Sequence, residues 1–299
     1  SRRPRSRLTR KRGGQTMSAP GRALAVAAFA ILMFTAMDGT IKALPAGLST
    51  LQIVALRFAF GVPPAALMAW RAGIRPSPAA WRANGLRGVL VLASCALFFF
   101  ALRRLAFAQA LALTFLAPLF MVLLAALLLG ERLTLKVLGV IAIGLIGVAV
   151  ILSGDLRADA TADLPGIAAA LGAAFTYAGS MILLRRQAQR DRPEVIVLIQ
   201  QFVPAVLALP FALADWTPFA PALWLVFALI GAIGVAGHFG LTWAYARAPA
   251  GALAVMEYTA LPWAALIGFA AFAEVPTLAT LAGGALILAA CLAVGRLRR

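Results

Sequence analysis

Ten runs of apolar residues, each about as long as a bilayer core is thick, follow one another along this 299-residue chain. They fall at about 22–44, 48–70, 84–105, 107–129, 134–153, 165–185, 193–214, 222–246, 251–272 and 277–296. A helix crossing hydrocarbon needs roughly 20 predominantly apolar residues, because its backbone polar groups must bond within the segment. The pattern therefore predicts an all-α integral membrane protein of ten transmembrane helices. Turn chemistry marks the breaks. Pro45-Ala46-Gly47 ends the first run, and Arg75-Pro76-Ser77-Pro78 parts the second from the third. The stretch from Ser153-Gly154-Asp155 to Pro165 separates two sets of five.

Rarer residues repeat across the two sets. Pro118 and Pro262 lie 144 positions apart, and the same offset pairs Phe58 with Phe202, Arg103 with Arg247 and Arg57 with Gln201. At 143 positions, Glu131 pairs with Glu274 and Thr134 with Thr277. Each Glu follows an apolar run and opens the turn into the last helix of its set. Five crossings per half turn the second half upside down relative to the first, giving two inverted five-helix repeats, the architecture of alternating access. The expected division is a basic N-terminal segment (1–21), a first repeat (22–153), an acidic linker (154–164) and a second repeat (165–299).

Composition agrees. The chain is 63% hydrophobic and 12% charged, with a mean hydropathy of +0.94; soluble domains average ~45–50% apolar and ~25% charged. The net charge of +17 raises nucleic acid as a partner, but the basic residues form no continuous face. They sit between apolar runs and at the ends. With loops alternating sides, 22 of the 27 Lys and Arg share a side with both termini and four lie opposite. The positive-inside rule then puts both termini in the cytoplasm and the linker carboxylates Asp155, Asp159 and Asp163 outside. Residues 1–16 carry seven of the basic residues and begin without Met, and Met17 is a second candidate start. No small-residue cleavage site opens onto a soluble domain, so Ala23–Met37 reads as the first transmembrane helix and not as a signal peptide. Trp70 and Trp81 flank an inner loop, and Trp216 and Trp224 an outer one, as an interfacial belt requires. Cys95 and Cys291 lie within apolar runs and read as packing residues.

Polar side chains inside spanning helices need a reason, since a central Asp, Lys or Arg costs roughly 2.5–3.5 kcal/mol on insertion scales. Thr35, Asp38 and Lys42 share one face of the first helix. Two readings stand: a cavity wall near the outer mouth, or a local Asp38–Lys42 ion pair with Lys42 snorkelling. Arg57, near the centre of the second helix, needs an acid or several carbonyls; Asp38 is at similar depth, and a tie between helices is preferred to substrate contact. In the eighth helix Gly231, Gly234, His238, Thr242 and Tyr245 form one face, with Gly237 and Gly240 nearby. That face is either a lined path or a tight helix contact. His238 is the sole histidine, so no metal site and no cofactor is expected. In the ninth helix Glu257 and Tyr258 precede Pro262 and Trp263. Pro262 removes a backbone bond and frees a carbonyl one turn earlier. Glu257 is the candidate for holding an amino group or a proton; the competing reading is a buried neutral acid kept for structure. Thr176, Tyr177 and Ser180 share a face of the sixth helix. With Phe98, Phe99, Trp243, Tyr258 and Trp263 they are expected to form an aromatic-lined cavity. Gly234, Gly237, Pro118 and Pro262 are candidate joints.

The pattern resembles the drug/metabolite transporter superfamily, in its EamA branch. The features that carry the likeness are Arg57-Phe58 in the second helix, Ala108-Gln109-Ala110 leading to Pro118, and the turn Gly130-Glu131-Arg132. The second half repeats them as Ala246-Arg247-Ala248-Pro249, Pro262 and Glu274. The resemblance covers residues 22–296 and implies export of amino acids, aromatic or neutral, and related metabolites across a bacterial inner membrane. It leaves open other drugs or metabolites. The residues themselves suggest a secondary transporter of small zwitterions, with proton coupling an open possibility through Glu257. Sugar phosphates fit less well, because Arg57 is the only central cation in this reading. A membrane-embedded enzyme would need clustered His, paired carboxylates or a phosphate loop, and a channel would need a charged pore ring; neither pattern is visible.

Overall fold

A computed structural model describes residues 19–129, 135–157, 163–248, 253, 256–257 and 259–297. The regular structure among them is helical: α1 (Ala19–Lys42), α2 (Thr50–Arg71), α3 (Pro78–Leu102), α4 (Phe107–Thr114), α5 (Ala117–Leu129), α6 (Leu135–Arg157), α7 (Leu164–Gln187), α8 (Pro193–Ala214), α9 (Ala222–Tyr245), α10 (Ala260–Phe272) and α11 (Leu278–Leu297). α1, α2, α3, α7, α8 and α9 are long and apolar enough to cross a bilayer, and four shorter apolar stretches lie at Phe107–Met121, Gly139–Ile151, Ala260–Phe272 and Leu278–Ala290. Each of the ten expected runs contains helix.

Helix starts follow local chemistry. Ser49 Oγ accepts from Gln52 N at 3.2 Å and Ser77 Oγ from Ala80 N at 3.1 Å, satisfying first-turn donors that have no intrahelical acceptor. Pro78 at the head of α3 loses nothing, since its missing N–H would be unsatisfied there anyway. α3 therefore begins about two turns before the expected boundary at 84, and Trp81 and Arg82 belong to the helix and not to a loop. Arg87, counted with the inner-side basic residues in the charge tally, is buried within α3.

The packing pattern is that of two halves related by inversion. α2 packs against α8, α6 against α11, α3 against α7 and α1 against α9. Glycine contacts fix the correspondence. A Cβ on Gly88 in α3 would meet Val203 Cβ in α8 at 2.7 Å, and a Cβ on Gly231 in α9 would meet the Phe60 backbone in α2 at 2.5 Å. Gly88 to Gly231 and Phe60 to Val203 are both steps of 143 residues, so one contact is the copy of the other. Gly147 and Gly283 touch at the α6–α11 crossing: a Cβ on Gly147 would reach Ile287 N at 3.2 Å, and one on Gly283 would reach Ile151 N at 3.1 Å. Four residues forward on one helix match four backward on the other, so α6 and α11 run antiparallel, as inverted halves require. The offset of 143 also revises two of these pairings, because Arg57 now corresponds to Gln200 and Phe58 to Gln201. Glu131 and Thr134, used in the sequence comparison, lie outside the described residues.

The fourth apolar run is broken. Pro118 has no N–H to give to the Thr114 carbonyl, and the chain tightens, with Phe115 N bonding Ala112 O at 3.2 Å and Leu116 N bonding Leu113 O at 3.3 Å. Thr114 Oγ1 turns back to Leu111 O at 2.7 Å. The second half shows the same device ahead of Pro262, where Thr259 N and Thr259 Oγ1 both donate to Met256 O, at 3.0 and 2.7 Å.

Candidate functional site

The two breaks open onto one cavity of about 210 Å³, walled by α1, α2, α3, α4, α5, α7, α8, α9 and the segment before α10. It is small beside the roughly 300–1,000 Å³ typical of drug-sized ligand sites. Its lining is mostly apolar, with both signs of charge set into it. Asp38 of α1 and Glu257 supply carboxylates; Arg57 of α2 and Arg87 of α3 supply guanidinium groups. Glu257 Oε1 accepts from Tyr177 Oη at 3.2 Å and Tyr245 Oη at 3.3 Å, so two phenols from different helices aim one carboxylate. Its Oε2 accepts no hydrogen bond among the described residues. Arg57 Nε and Nη1, Arg87 Nε, Gln200 Oε1 and His238 Nε2 are buried without a hydrogen-bond partner.

Arg57 stands over Phe58, 4.3 Å from the ring centroid, and 5.8 Å from that of Phe99. The close approach of α9 depends on glycine. A Cβ on Gly234 would sit 3.3 Å from Met37 Sδ and 3.6 Å from Arg57 Nη2, and one on Gly237 would meet the Phe34 ring at 2.7 Å. His238 meets Phe34 edge-on, with centroids 4.7 Å apart. The glycine face of α9 is thus both a tight helix contact and a cavity wall.

The lining repeats at the same 143-residue step. Phe34 corresponds to Tyr177, Asp38 to Met181, Arg57 to Gln200, Cys95 to His238, Phe99 to Thr242 and Thr114 to Glu257, and all line the cavity. Equivalent positions carry different chemistry, so a symmetric frame holds an asymmetric site.

One end of the bundle is tied together by ion pairs and by hydrogen bonds from Lys and Arg to backbone carbonyls. Lys42 Nζ pairs with Glu274 Oε1 at 3.0 Å and donates to Leu102 O at 3.1 Å and Leu105 O at 2.7 Å. Glu274 Oε2 accepts from Phe107 N at 2.7 Å, capping the first turn of α4. Arg103 donates to the carbonyls of Leu48, Pro45 and Ala46, and Arg104 pairs with Asp163 at 2.8 Å. At the opposite end Asn84 donates to Asp191 Oδ2 and Gln187 to Ala83 O, both at 2.8 Å.

Of the residues singled out in the sequence, Asp38, Arg57, Phe98, Phe99, Pro118, Tyr177, His238 and Glu257 line the cavity. Gly234 and Gly237 support it, and Pro262 opens α10 beside it. Lys42 does not pair with Asp38; it lies at the last position of α1 and reaches the carbonyls ending α3 instead. Asp38 and Arg57 form no ion pair. Trp243 and Trp263 fall outside the lining. Trp243 packs under Arg247, 4.1 Å from its ring centroid, and Trp263 is 38% exposed on the outer surface of the bundle. Tyr258 lies outside the described residues. Arg87, Gln200, Ser94 and Thr114 were missed. With Arg87 in the wall, Arg57 is not the only cation facing the cavity. No cluster of metal-binding side chains occurs among the described residues.

Comparison with known proteins accords with this architecture. The chain matches the EamA-like transporter family twice, over residues 21–153 and 164–296. It is 28% identical over 275 residues to the pseudopaline exporter CntI of Pseudomonas aeruginosa, covering 92% of this chain and 96% of that one. It is 31% identical over 182 residues to an uncharacterized transporter of Helicobacter pylori, covering 57% of this chain and 59% of that one. A solved crystal structure shares the fold at a TM-score of 0.61 and 22% identity, over 94% of this chain and 98% of that one. The chain belongs to the EamA-like transporter family.

Proposed function

We propose that this chain is a secondary transporter that exports small zwitterionic metabolites, amino acids and their derivatives first among them, by alternating access. The carrying observation is the cavity: two carboxylates and two guanidinium groups face one small, largely apolar space between inverted halves. A zwitterion brings one ammonium and one carboxylate, and each finds a partner of opposite charge there. The similarity to a pseudopaline exporter supports export and also favours a second reading, in which the cargo is a metabolite other than an amino acid.

In this reading the ten helical segments all cross the bilayer, both termini are cytoplasmic, and the Lys42–Glu274 latch closes the outer face. Glu257, aimed by two tyrosines, takes the substrate amine or a proton in alternation, which would couple export to a pH gradient. The test is counterflow in proteoliposomes over a panel of amino acids, with and without a pH gradient. Saturable, competed exchange is the expected result. Flux that never saturates would indicate a channel, consumption without flux would indicate an enzyme, and no flux of any amino acid or derivative would reject the proposal.

A further inference from the structure

The cavity holds more cationic hydrogen-bonding capacity than the protein itself satisfies. Arg57 and Arg87 are 2% and 4% exposed, both face the cavity, and each leaves its Nε unpaired. Neither joins an ion pair among the described residues. A permanently charged guanidinium buried without a partner is unfavourable, and its planar fork of donors matches a carboxylate bidentately. The cavity's own acids do not supply that match. Glu257 is engaged with Tyr177 and Tyr245, and Asp38 feels the charge of Arg57 but forms no ion pair with either arginine among the described residues.

Position separates the two forks. Arg57 is seven residues into α2 and Arg87 nine residues into α3, and these helices start at opposite ends of the bundle. At 1.5 Å per residue the two lie roughly 10 Å and 14 Å in from opposite faces, leaving roughly 6–12 Å of depth between them. One carboxylate fills one fork, and the second fork asks for a second. Building on the zwitterion reading above, we propose that the cavity selects amino-acid derivatives with two carboxylates, one held by Arg57 and one by Arg87, with the ammonium facing Asp38 or Glu257. Phosphoesters fit less well, because their charge would meet both acids with no ammonium to offset it.

The pseudo-symmetry supplies a conservative variant. Gln200 occupies in α8 the place of Arg57, so Arg57→Gln gives both repeats the same residue at the equivalent position. The experiment is counterflow by the full chain in liposomes with labelled L-2-aminoadipate, L-glutamate and L-phenylalanine. It reads the ratio of kcat/KM for dicarboxylate over monocarboxylate, which does not depend on the fraction of protein that folds. Wild type should favour at least one dicarboxylate. Arg57→Gln and Arg87→Gln should each lower the ratio by on the order of tenfold or more, while Arg247→Gln, outside the cavity, leaves it unchanged. Should either Gln variant fail to fold, the Lys variant at that site keeps the charge, loses the fork and should lower the ratio in the same direction. A ratio indifferent to both sites, or a wild type that prefers phenylalanine, overturns the dicarboxylate proposal and leaves the zwitterion transporter standing. A wild type that exchanges no amino acid overturns both.

Discussion

At the scale of single residues, charge in apolar surroundings was the readable signal. Asp38, Arg57 and Glu257 stand out in any apolar run, and all three reach the cavity. Trp243 and Trp263 stood out as well and do not, because a helix apolar on every side carries no phase to say which face turns inward. Arg87 was hidden for a different reason: it lies within a turn of the expected start at 84, where basic residues commonly flank a span on the cytoplasmic side. Lys42 lies 232 positions from Glu274, so only the fold could pair them. Glu257→Gln is expected to remove the pH dependence of flux, read over a pH series; flux that keeps the wild-type profile would release Glu257 from its proposed role. Asp163 caps α7 and pairs with Arg104. Its carboxyl is held below the ordinary carboxylate range, first by the Gly166 N–H; desolvation opposes this as the next largest effect, and the hydrogen bond and charge of Arg104 add to the lowering. A lowered pKa stabilises the folded chain above the ordinary carboxylate range, and that contribution is lost as pH falls through the lowered value. Asp163→Asn should therefore melt below wild type at pH 7, with the difference closing in acid. A difference that persists in acid would contradict the ionic origin.

At the scale of elements, length and apolar content located all ten runs, and turn residues located most ends. The breaks were legible too, since Pro118 and Pro262 each remove a backbone donor, and both helices are interrupted one turn before them. Glu131–Glu274 and Thr134–Thr277 already repeat at 143, but that the same step governs Arg57 and Phe58 was not legible, because apolar residues align equally well at either step and the paired glycine contacts decide. Those contacts give a stability test. Gly231→Ala drives a methyl into the Phe60 and Gly61 backbone, and Gly283→Ala drives one into the backbone of α6 at Gly147 and Ile151. Neither neighbour is a flexible side-chain end, so each should cost roughly 1–3 kcal/mol. Gly139→Ala meets nothing within 4 Å and should gain about 0.5–1 kcal/mol. Thermal melts in detergent check the order, and a Gly139→Ala protein less stable than Gly283→Ala would contradict it. Pro118→Ala restores a donor to the Thr114 carbonyl, so it should slow transport more than it lowers the melting temperature. Equal losses in both would make the break a packing feature only.

At the scale of the whole molecule, two repeats of the EamA-like family enclose a cavity whose wall residues correspond pair by pair but differ in chemistry. Symmetry of frame suits a carrier that shows the same site to either face, and asymmetry of lining suits an asymmetric cargo. The Lys42–Glu274 latch would hold one face closed, and Glu274→Gln should loosen that face alone. Cys95, the free cysteine among the described residues and part of the cavity wall, is a built-in reporter of exposure. In a Cys291→Ser background, a membrane-impermeant thiol reagent should modify Cys95 whether added from the cytoplasmic or the outer face, and transported substrate should slow both reactions. Modification from one face only, with substrate present or absent, would contradict alternating exposure of this cavity.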